Sequence, residues 1–238
     1  MLIFADGETG AGKTHTCSGC SEDHGVVDRA VHTLFAIKQQ RQKDFNITIK
    51  LSLMSFDRGK ITDPLTSRAL LRRESLKIKR IPHSNGTYVD GLTMTEVMDE
   101  KEAVDQIRFG FMQLSRAMTL MGCSSSQLHF VVSLYLSCQS RLSGHTVHGK
   151  LHVTELAGSE RPRFKVTGDA CLEAKWKLKS LASLGEVLWA RTHGCKFVPY
   201  RNSKLTYALR DSLEGNSKTV LIAHVKPVCR QECVCSKN

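Results

Sequence analysis

Eight residues near the start of the chain have the types and spacing needed to bind a phosphate group. They fit the pattern G-x-x-x-x-G-K-[ST], in which glycines let backbone N–H groups turn inward around a phosphate. The lysine of this pattern reaches the β- and γ-phosphates of a nucleotide, and the final hydroxyl coordinates Mg²⁺. The eight residues are Gly7, Glu8, Thr9, Gly10, Ala11, Gly12, Lys13 and Thr14.

The residues on either side of this phosphate loop support the same interpretation. Residues 2–5 are an apolar run that reads as a buried strand, and a helix can begin at Lys13. The N-terminus of a helix adds a field that favours anions. A glycine-rich turn that matches the pattern by chance is the alternative, and the strand–loop–helix context makes it the less favoured one.

The hydrophobic periodicity of the remaining chain alternates between strand and helix. Period-two or continuous apolar runs predict strands at residues 45–53, 130–136, 150–156 and 220–225, the last of them buried. Helical spacing predicts helices over residues 27–35, 103–118 and 172–190, with a further helix face at Leu205, Ala208, Leu209 and Leu213. Ser84-Asn85-Gly86 is typical of a hairpin turn. The chain is therefore predicted to be an α/β protein with a central, mostly covered sheet and helices on both faces.

The composition limits the classes of partner. The chain has 238 residues, of which 41% are hydrophobic, enough for one sizeable core, and it carries a formal net charge of +11. That excess suits an acidic partner: nucleic acid, an anionic membrane or an acidic protein surface. A strongly basic stretch at residues 70–80 is either a solvated face or a contact surface. No apolar run of about 18 residues exists, so no membrane span is expected.

The nine cysteines suggest a metal site only weakly. Cys17 and Cys20 form a C-x-x-C pair, and Cys229, Cys233 and Cys235 cluster near the end of the sequence. A structural zinc site needs four ligands at compatible spacing, so a zinc or redox role is less favoured than simple thiols. No signal-peptide pattern is visible, and we expect an intracellular, cytoplasmic protein.

Five motifs, in order along the chain, resemble those of kinesin motor domains. The phosphate loop continues into His15-Thr16, and residues 125–129 resemble an altered switch I, the loop that faces the γ-phosphate. Leu156-Ala157-Gly158-Ser159-Glu160-Arg161 resembles switch II, and residues 180–187 resemble the switch II helix. Residues 199–206, Pro-Tyr-Arg-Asn-Ser-Lys-Leu-Thr, followed by residues 211–219, resemble a further kinesin signature. The chain is identified on these motifs as similar to a kinesin, without a subfamily.

This resemblance implies a P-loop NTPase fold of kinesin type that binds ATP and Mg²⁺, hydrolyses ATP and binds microtubules in the cytoskeleton. Carried over by position, Gly7–Thr14 would hold the phosphates, and Thr14 and Ser126 would hold Mg²⁺. Ser125, Ser126, Gly158 and Glu160 would form the catalytic switches, and Gly158 would sense the γ-phosphate through its N–H. Arg201 and Lys204 would face the microtubule, whose acidic surface suits the positive charge of this chain.

Several residues depart from the family pattern inside the site. Gln127 stands where the family has the switch I arginine that pairs with the switch II glutamate, here Glu160, and a neutral amide cannot replace that charge. Glu155 replaces an aspartate near the metal, one methylene longer, and Mg²⁺ tolerates little geometric error. Glu8 replaces a glutamine and adds negative charge beside the phosphates. We therefore expect weakened hydrolysis.

The two ends also differ from the family pattern. The family's opening strand is expected before Met1 and its last helix after Pro227, so the fold is expected to be incomplete at both ends. We expect a partial motor domain over residues 1–227 and a disordered, cysteine-rich tail over residues 228–238.

Three functions compete at this point. The first is a microtubule-stimulated P-loop ATPase with impaired turnover, and the second is a non-hydrolysing, kinesin-derived microtubule-binding module. The third, a nucleic-acid binder, depends on charge alone, because no interleaved aromatic platform is visible, and we do not expect it.

Overall fold

The computed structural model describes residues 1–20, 22–66, 75–82, 86–120, 128–160, 169–214 and 216–226. The strands within these residues are β1 (Leu2–Gly7), β2 (Phe45–Asp57), β3 (Lys60–Thr62), β4 (Lys77–Arg80), β5 (Thr87–Asp90), β6 (Thr95–Val97), β7 (His129–Ser140), β8 (Thr146–Glu155) and β9 (Thr219–His224). The α-helices are α1 (Lys13–Ser18), α2 (Val26–Gln40), α3 (Glu100–Leu120), α4 (Asp169–Thr192), α5 (Lys204–Ala208) and α6 (Arg210–Leu213), and a 3-10 helix covers Tyr200–Asn202.

Seven of these strands form one mixed sheet. The order is β3–β2–β7–β8–β1–β9, and β6 also pairs with β2. β1 is parallel to β8 and β9, whereas β2 pairs antiparallel with β3, β6 and β7, and β7 pairs antiparallel with β8. β4 and β5 form a separate two-stranded hairpin. The predicted α/β class with a central sheet is confirmed.

Four strands of this sheet have one end each on the same side, where the parallel strands finish. The register pairs Ala5 with Glu155 and Gly7 with His224, so the carboxyl ends of β1, β8 and β9 lie side by side. β7 runs in the opposite direction, and its first residue, His129, therefore lies at this edge as well. Ligands of open α/β sheets bind outside the carboxyl ends of the parallel strands. The phosphate loop, which follows β1, opens at this edge.

Buried apolar side chains form one cluster on each face of the sheet. On one face, α2 and α3 pack over β2 and β7, with Val31, Leu51, Ile107 and Leu134 in that cluster. On the other face, α4, α5 and α6 cover β1 and the end of β2; their core includes Phe4, Phe56, Val187, Leu205 and Leu209. Each fully buried side chain of this size contributes about 1.5–3 kcal/mol. The prediction of helices on both faces is confirmed.

The single helix face predicted over residues 205–213 is wrong in one respect. Two short helices, α5 and α6, replace it, and they meet at Leu209, whose φ of −94° and ψ of 10° interrupt the helical geometry. The four apolar residues of the pattern are nevertheless all buried. Helical spacing therefore identified the buried face correctly and missed the break in the helix axis.

The prediction of a buried strand at residues 220–225 is also only partly right. β9 forms, but Val220 and Leu221 are 40% and 52% exposed. β9 is the terminal strand in the order of the described sheet, with β1 as its neighbour. An apolar run alone does not distinguish such an edge strand from a central one.

Some sequence predictions fall on residues outside the described ranges. The turn predicted at residues 84–86 joins two segments that pair as predicted, since Lys77 lies opposite Asp90, but Ser84 and Asn85 are outside those ranges. Three other predicted features also lie outside these ranges: the predicted switch I residues Ser125, Ser126 and Gln127, the basic residues Arg72 and Arg73, and the tail at residues 228–238. None of the described helices is long and apolar enough to cross a membrane.

Candidate nucleotide site

The backbone of the phosphate loop requires glycine at two of its positions. Gly7 has a φ of +146°, and a Cβ atom there would lie 2.4 Å from the carbonyl oxygen of His224 on β9. Gly12, immediately before α1, has a φ of +102°. Side chains are strained in both conformations, so glycine at these positions lets the loop turn sharply between β1 and α1.

Lys13 lies inside this loop. Its side chain is only 5% exposed, and its Nζ donates hydrogen bonds of 2.8 Å to the carbonyl oxygens of Gly7 and Glu8. Burial lowers the pKa of Lys13, while the charges of Glu155 and Glu160 oppose that shift. The ammonium group is thus held within the loop, near the carboxylates of Glu155 and Glu160, where it can bind an anion.

Thr14 and Glu155 are brought together at the carboxyl end of β8. The hydroxyl of Thr14 donates a close hydrogen bond to Oε1 of Glu155. Burial raises the pKa of Glu155, and the hydrogen bond from Thr14 and the charge of Lys13 oppose that shift. Hydroxyl and carboxylate oxygens are ligands that Mg²⁺ accepts. A hydroxyl that donates its proton to Glu155 keeps its lone pairs for a cation, so the two residues fit a magnesium ion.

Glu160, the carboxylate of the predicted switch II, lies on the phosphate loop. Its Oε2 accepts the N–H of Thr9 and its Oε1 accepts the hydroxyl of Thr9, both at 2.9 Å. The Nζ of Lys177, on α4, lies 3.3 Å from Oε1. Burial alone would raise the pKa of Glu160, but the hydrogen bonds from Thr9 and the charge of Lys177 lower it to about 2. The carboxylate is therefore ionised over the whole neutral range.

Gly158 permits this close approach. A Cβ atom on Gly158 would lie 2.3 Å from Oε2 of Glu160 and 2.5 Å from the hydroxyl oxygen of Thr9. A larger residue here would push Glu160 off the loop. The structure thus brings the phosphate loop, Thr14, Gly158 and Glu160 together at one edge of the sheet.

His129, the last residue of the predicted switch I, is buried, and its contacts were not predicted from the sequence. Its Nδ1 accepts the N–H of Ala157 at 2.9 Å, and its Nε2 lies 3.0 Å from the hydroxyl of Ser180 on α4. Its ring also contacts the ring of Trp176, with 5.0 Å between centroids. Burial and the charge of Lys177 lower the pKa of His129 to about 3, so the ring is neutral. Because Nδ1 accepts, Nε2 carries the proton and donates to Ser180.

His224 and Lys226 are two further residues that the sequence did not single out. His224 lies 2.8 Å from the hydroxyl of Thr16 through Nε2 and 3.0 Å from the carbonyl oxygen of Asp6 through Nδ1. It thereby ties the end of β9 to both flanks of the loop. The Nζ of Lys226 lies 3.9 Å from a carboxylate oxygen of Glu8, in an exposed pair. Lys226 thus offsets part of the negative charge that Glu8 adds.

The cysteines of the described residues do not form a metal centre. No group of three or more His, Cys, Asp or Glu side chains within the described ranges could hold a metal ion. Cys17 is buried, and burial raises its pKa to about 12, so it remains a thiol. The C-x-x-C pair therefore belongs to no such cluster within the described ranges.

The two predicted partner-binding residues lie on different elements from the phosphate loop. Arg201 is exposed in the 3-10 helix, with its guanidinium 5.6 Å from the ring centroid of Tyr207. Lys204 is exposed at the start of α5 and donates a 3.3 Å hydrogen bond to the hydroxyl of Ser75. The hydroxyl of Thr87 on β5 donates to the carbonyl oxygen of Tyr207, at 2.9 Å. The β4–β5 hairpin therefore packs beside α5, and its strand β4 carries further basic residues: Lys77, Lys79 and Arg80. One of them, Lys79, pairs with Asp90 at 2.8 Å.

The strand, glycine-rich loop, buried lysine and hydroxyl define a P-loop nucleotide-binding fold. The sequence profile of the kinesin motor domain matches residues 1–236. This chain therefore belongs to the kinesin motor domain family.

Two plant proteins show the extent of the sequence similarity. Kinesin-like protein KIN-14G of Arabidopsis thaliana is 35% identical over 232 residues, which cover 95% of this chain and 23% of that protein. Kinesin-like protein KIN-14D of Oryza sativa subsp. japonica is 35% identical over 232 residues, which cover 95% of this chain and 24% of that protein. The chain thus spans about a quarter of the length of the curated relatives it matches.

Solved kinesin structures share the fold. The structure of a fast kinesin has a TM-score of 0.84 and 33% identity, covering 94% of this chain and 64% of that one. The motor domain of the Saccharomyces cerevisiae kinesin-related protein Kar3 has a TM-score of 0.78 and 28% identity, covering 94% of this chain and 67% of that one.

Proposed function

We propose that this chain binds Mg²⁺ and ATP and a microtubule as a kinesin motor domain, and that it hydrolyses ATP slowly. The observation that carries the nucleotide site is the convergence of Lys13, Thr14, Gly158 and Glu160 at the carboxyl edge of the sheet. These residues come from segments more than 140 positions apart in the sequence. Family membership and this convergence support the same function.

Different residues of the site would bind different parts of the Mg²⁺–nucleotide complex. The turn at residues 7–12 offers backbone N–H groups to the phosphates, and Lys13 adds a charge that is already partly desolvated. Thr14 and Glu155 would hold Mg²⁺, which neutralises phosphate charge when it is bound. By the family pattern, Ser126 would also hold Mg²⁺ from switch I, next to Ser125, and Gly158 would sense the γ-phosphate through its N–H.

The expectation of slow turnover depends on how Glu160 is held. In the family pattern its partner is a switch I arginine, and Gln127 takes that position here. In this structure the carboxylate instead contacts Thr9 of the phosphate loop and Lys177 of α4. A neutral amide competes poorly with a lysine for a carboxylate. The closing of switch I onto switch II is therefore expected to be weak.

The basic face formed by Arg201, Lys204 and the β4–β5 hairpin supports microtubule binding. Its charges come from two separate segments that pack together, and exposed positive charges of this kind attract an acidic protein surface. We place the chain with the cytoskeleton of the cytoplasm on this basis. Nucleic acid remains a poor candidate, because positive charge is its only support.

A non-hydrolysing microtubule-binding module is the second candidate, because the partner that Glu160 needs for closure is missing from the sequence at Gln127. The experiment that separates the two is a steady-state ATPase assay of the purified chain with and without microtubules. Slow but microtubule-stimulated turnover that Lys13→Ala abolishes supports the first proposal. Microtubule cosedimentation with turnover equal to that of Lys13→Ala supports the second.

A further inference from the structure

The carboxylate of Glu160 occupies a small anion site on the phosphate loop. Four donors surround it: the N–H of Thr9, the hydroxyl of Thr9, the backbone N–H of Glu160 itself and the ammonium of Lys177. The Lys177 side chain is 11% exposed and the Glu160 side chain is 36% exposed. Water therefore screens this ion pair less than a pair at the surface. Of these four donors, only Lys177 carries a full charge, and it lies on α4, outside the phosphate loop.

The position of Lys177 is fixed by its neighbours on α4. Trp176, one residue before it, packs on the ring of His129. Ser180, three residues after it and hence on the adjoining helix turn, hydrogen-bonds to the same histidine. His129 in turn accepts the N–H of Ala157, the residue before Gly158. Through His129, the helix turn that carries Lys177 is thus held against the loop that carries Glu160. These contacts place the ammonium group of Lys177 beside the carboxylate of Glu160.

We propose that Lys177 is a positioning residue of the nucleotide site: it holds the carboxylate of Glu160 against Thr9. ATP must displace this carboxylate when it binds, whereas ADP does not. This inference rests on the proposed function, because it concerns the nucleotide preference of the same site. It assigns to Lys177 a role that depends on its own contacts and not on the family's motifs.

The preference for one nucleotide follows from the position of Thr9. Thr9 touches Gly158, since a Cβ on Gly158 would lie 2.5 Å from the Thr9 hydroxyl oxygen, and Gly158 is the proposed γ-phosphate sensor. Glu160 therefore lies at the γ-phosphate end of the loop. A third phosphate and the carboxylate are both anions, and they cannot share the Thr9 N–H. ADP ends at the β-phosphate and leaves the carboxylate in place.

The experiment compares the dissociation constants of ADP and a non-hydrolysable ATP analogue, each measured with Mg²⁺ by competition against a fluorescent nucleotide. The parent chain, Lys177→Met, Lys177→Arg and Lys179→Met are measured together. Lys179 is an exposed lysine two positions further along α4 and serves as the matched control. Circular dichroism and thermal unfolding check that each variant is folded.

Lys177→Met is expected to shift the preference toward the ATP analogue by about two- to fivefold, the effect of losing one partly screened ion pair. Lys177→Arg, which keeps the charge, and Lys179→Met are expected to retain the parental ratio. An unchanged ratio in folded Lys177→Met overturns the proposal. A shift toward ADP overturns it too, because that result makes Lys177 a direct phosphate ligand.

Glu160→Gln provides a second test that does not depend on the folding of Lys177→Met. The amide can still accept a hydrogen bond from Thr9, but it has no charge for Lys177 to hold. This variant is expected to favour the ATP analogue, and adding Lys177→Met to it is expected to produce no further shift. Full additivity of the two substitutions overturns the proposal. If the parent chain binds neither nucleotide, the proposed function itself is wrong. That result is distinct from an unchanged nucleotide preference in Lys177→Met, which contradicts only the role of Lys177.

Discussion

The phosphate site and the basic face hold their charges in opposite ways. At the phosphate site Lys13 is buried, and its contacts are to the loop itself, while Glu155 and Glu160 accept hydrogen bonds from Thr14 and Thr9. At the basic face Arg201 and Lys204 are exposed. Arg201 contacts the ring of Tyr207, and Lys204 donates a 3.3 Å hydrogen bond to the hydroxyl of Ser75. The charged groups of the phosphate site thus contact the protein itself, whereas Arg201 and Lys204 of the basic face are largely exposed to solvent.

This difference predicts different kinds of ligand binding. A buried charge without a partner costs several kcal/mol, so a ligand that enters the phosphate site must replace the partners already there. A ligand at the basic face replaces mainly water and mobile ions, and its binding energy is spread over many weak contacts. Single substitutions are therefore expected to have large effects at the phosphate site and small ones at the basic face.

The largest effect is expected for Lys13→Ala. Charge-assisted hydrogen bonds contribute roughly 1.5–3 kcal/mol each, so the loss of this lysine is expected to weaken ATP binding at least tenfold. Titration of a fluorescent ATP analogue measures the affinity. Lys226→Ala is the matched control, because it removes an exposed lysine that pairs with Glu8 of the same loop, at 3.9 Å. Equal losses in the two variants would contradict the contrast between buried and exposed charge.

The second effect concerns turnover and the pair of switches. Gln127→Arg supplies the charge that the family pattern places opposite Glu160, and Glu155→Asp restores the shorter carboxylate of the family pattern at the proposed Mg²⁺ site. A gain of about 1.4 kcal/mol in the closed state would raise the rate about tenfold if closure limits turnover. Single-turnover hydrolysis should increase in Gln127→Arg and increase further in the double variant, each checked for folding.

Two results would show that this explanation of slow turnover is wrong. The first is a parent chain that already hydrolyses ATP as fast as an ordinary kinesin domain. The second is a folded double variant with no gain in rate. Lys177 limits the gain in rate expected from Gln127→Arg, because an arginine at position 127 must compete with Lys177 for the carboxylate of Glu160. Adding Lys177→Met to Gln127→Arg is therefore expected to raise the rate beyond that of Gln127→Arg alone.

The phosphate loop could be predicted from the sequence residue by residue, because its pattern encodes a backbone shape. Glycine at positions 7 and 12 is required by local conformation, and Lys13 and Thr14 follow within the same turn. The alternation of apolar residues predicted the strands and helices for a similar reason, since it reports which face of each element is buried.

The partners within the site could not be predicted in this way. Lys177 lies 17 residues after Glu160, and His129 lies 28 residues before Ala157, so their contacts depend on how α4 packs over the sheet. The apolar run at residues 220–225 also does not show by itself that Val220 and Leu221 lie on an edge strand. The order of strands in a sheet is a property of the whole fold, and local periodicity carries little information about it.

A smaller effect is expected for the basic face. The double variant Arg201→Ala/Lys204→Ala should weaken microtubule cosedimentation by a few-fold, because exposed charges contribute about 0.2–1 kcal/mol each. Binding should also fall with added salt, since such charges are screened over about 8–10 Å at ordinary ionic strength. Arg41→Ala/Lys43→Ala removes the same charge from exposed residues after α2 and is the control. Salt-insensitive binding, or equal losses in both double variants, would exclude this face.

The smallest effect returns to Glu160 and tests its internal partners without any ligand. Its pKa is lowered to about 2 in the folded chain, below the ordinary value of about 4.3. The unfolded chain therefore binds the proton more readily, and the stabilising contribution of this carboxylate is present above about pH 4.3 and lost as the pH falls toward 2. Thermal unfolding of the parent and of Glu160→Gln is compared from pH 7 to pH 3. The parent should be more stable by a few degrees at pH 7, and the difference should narrow in acid. His129, whose lowered pKa also makes the fold acid-sensitive, is common to both proteins and cancels in the comparison. A difference that stays constant with pH would show that Thr9 and Lys177 do not hold an ionised Glu160.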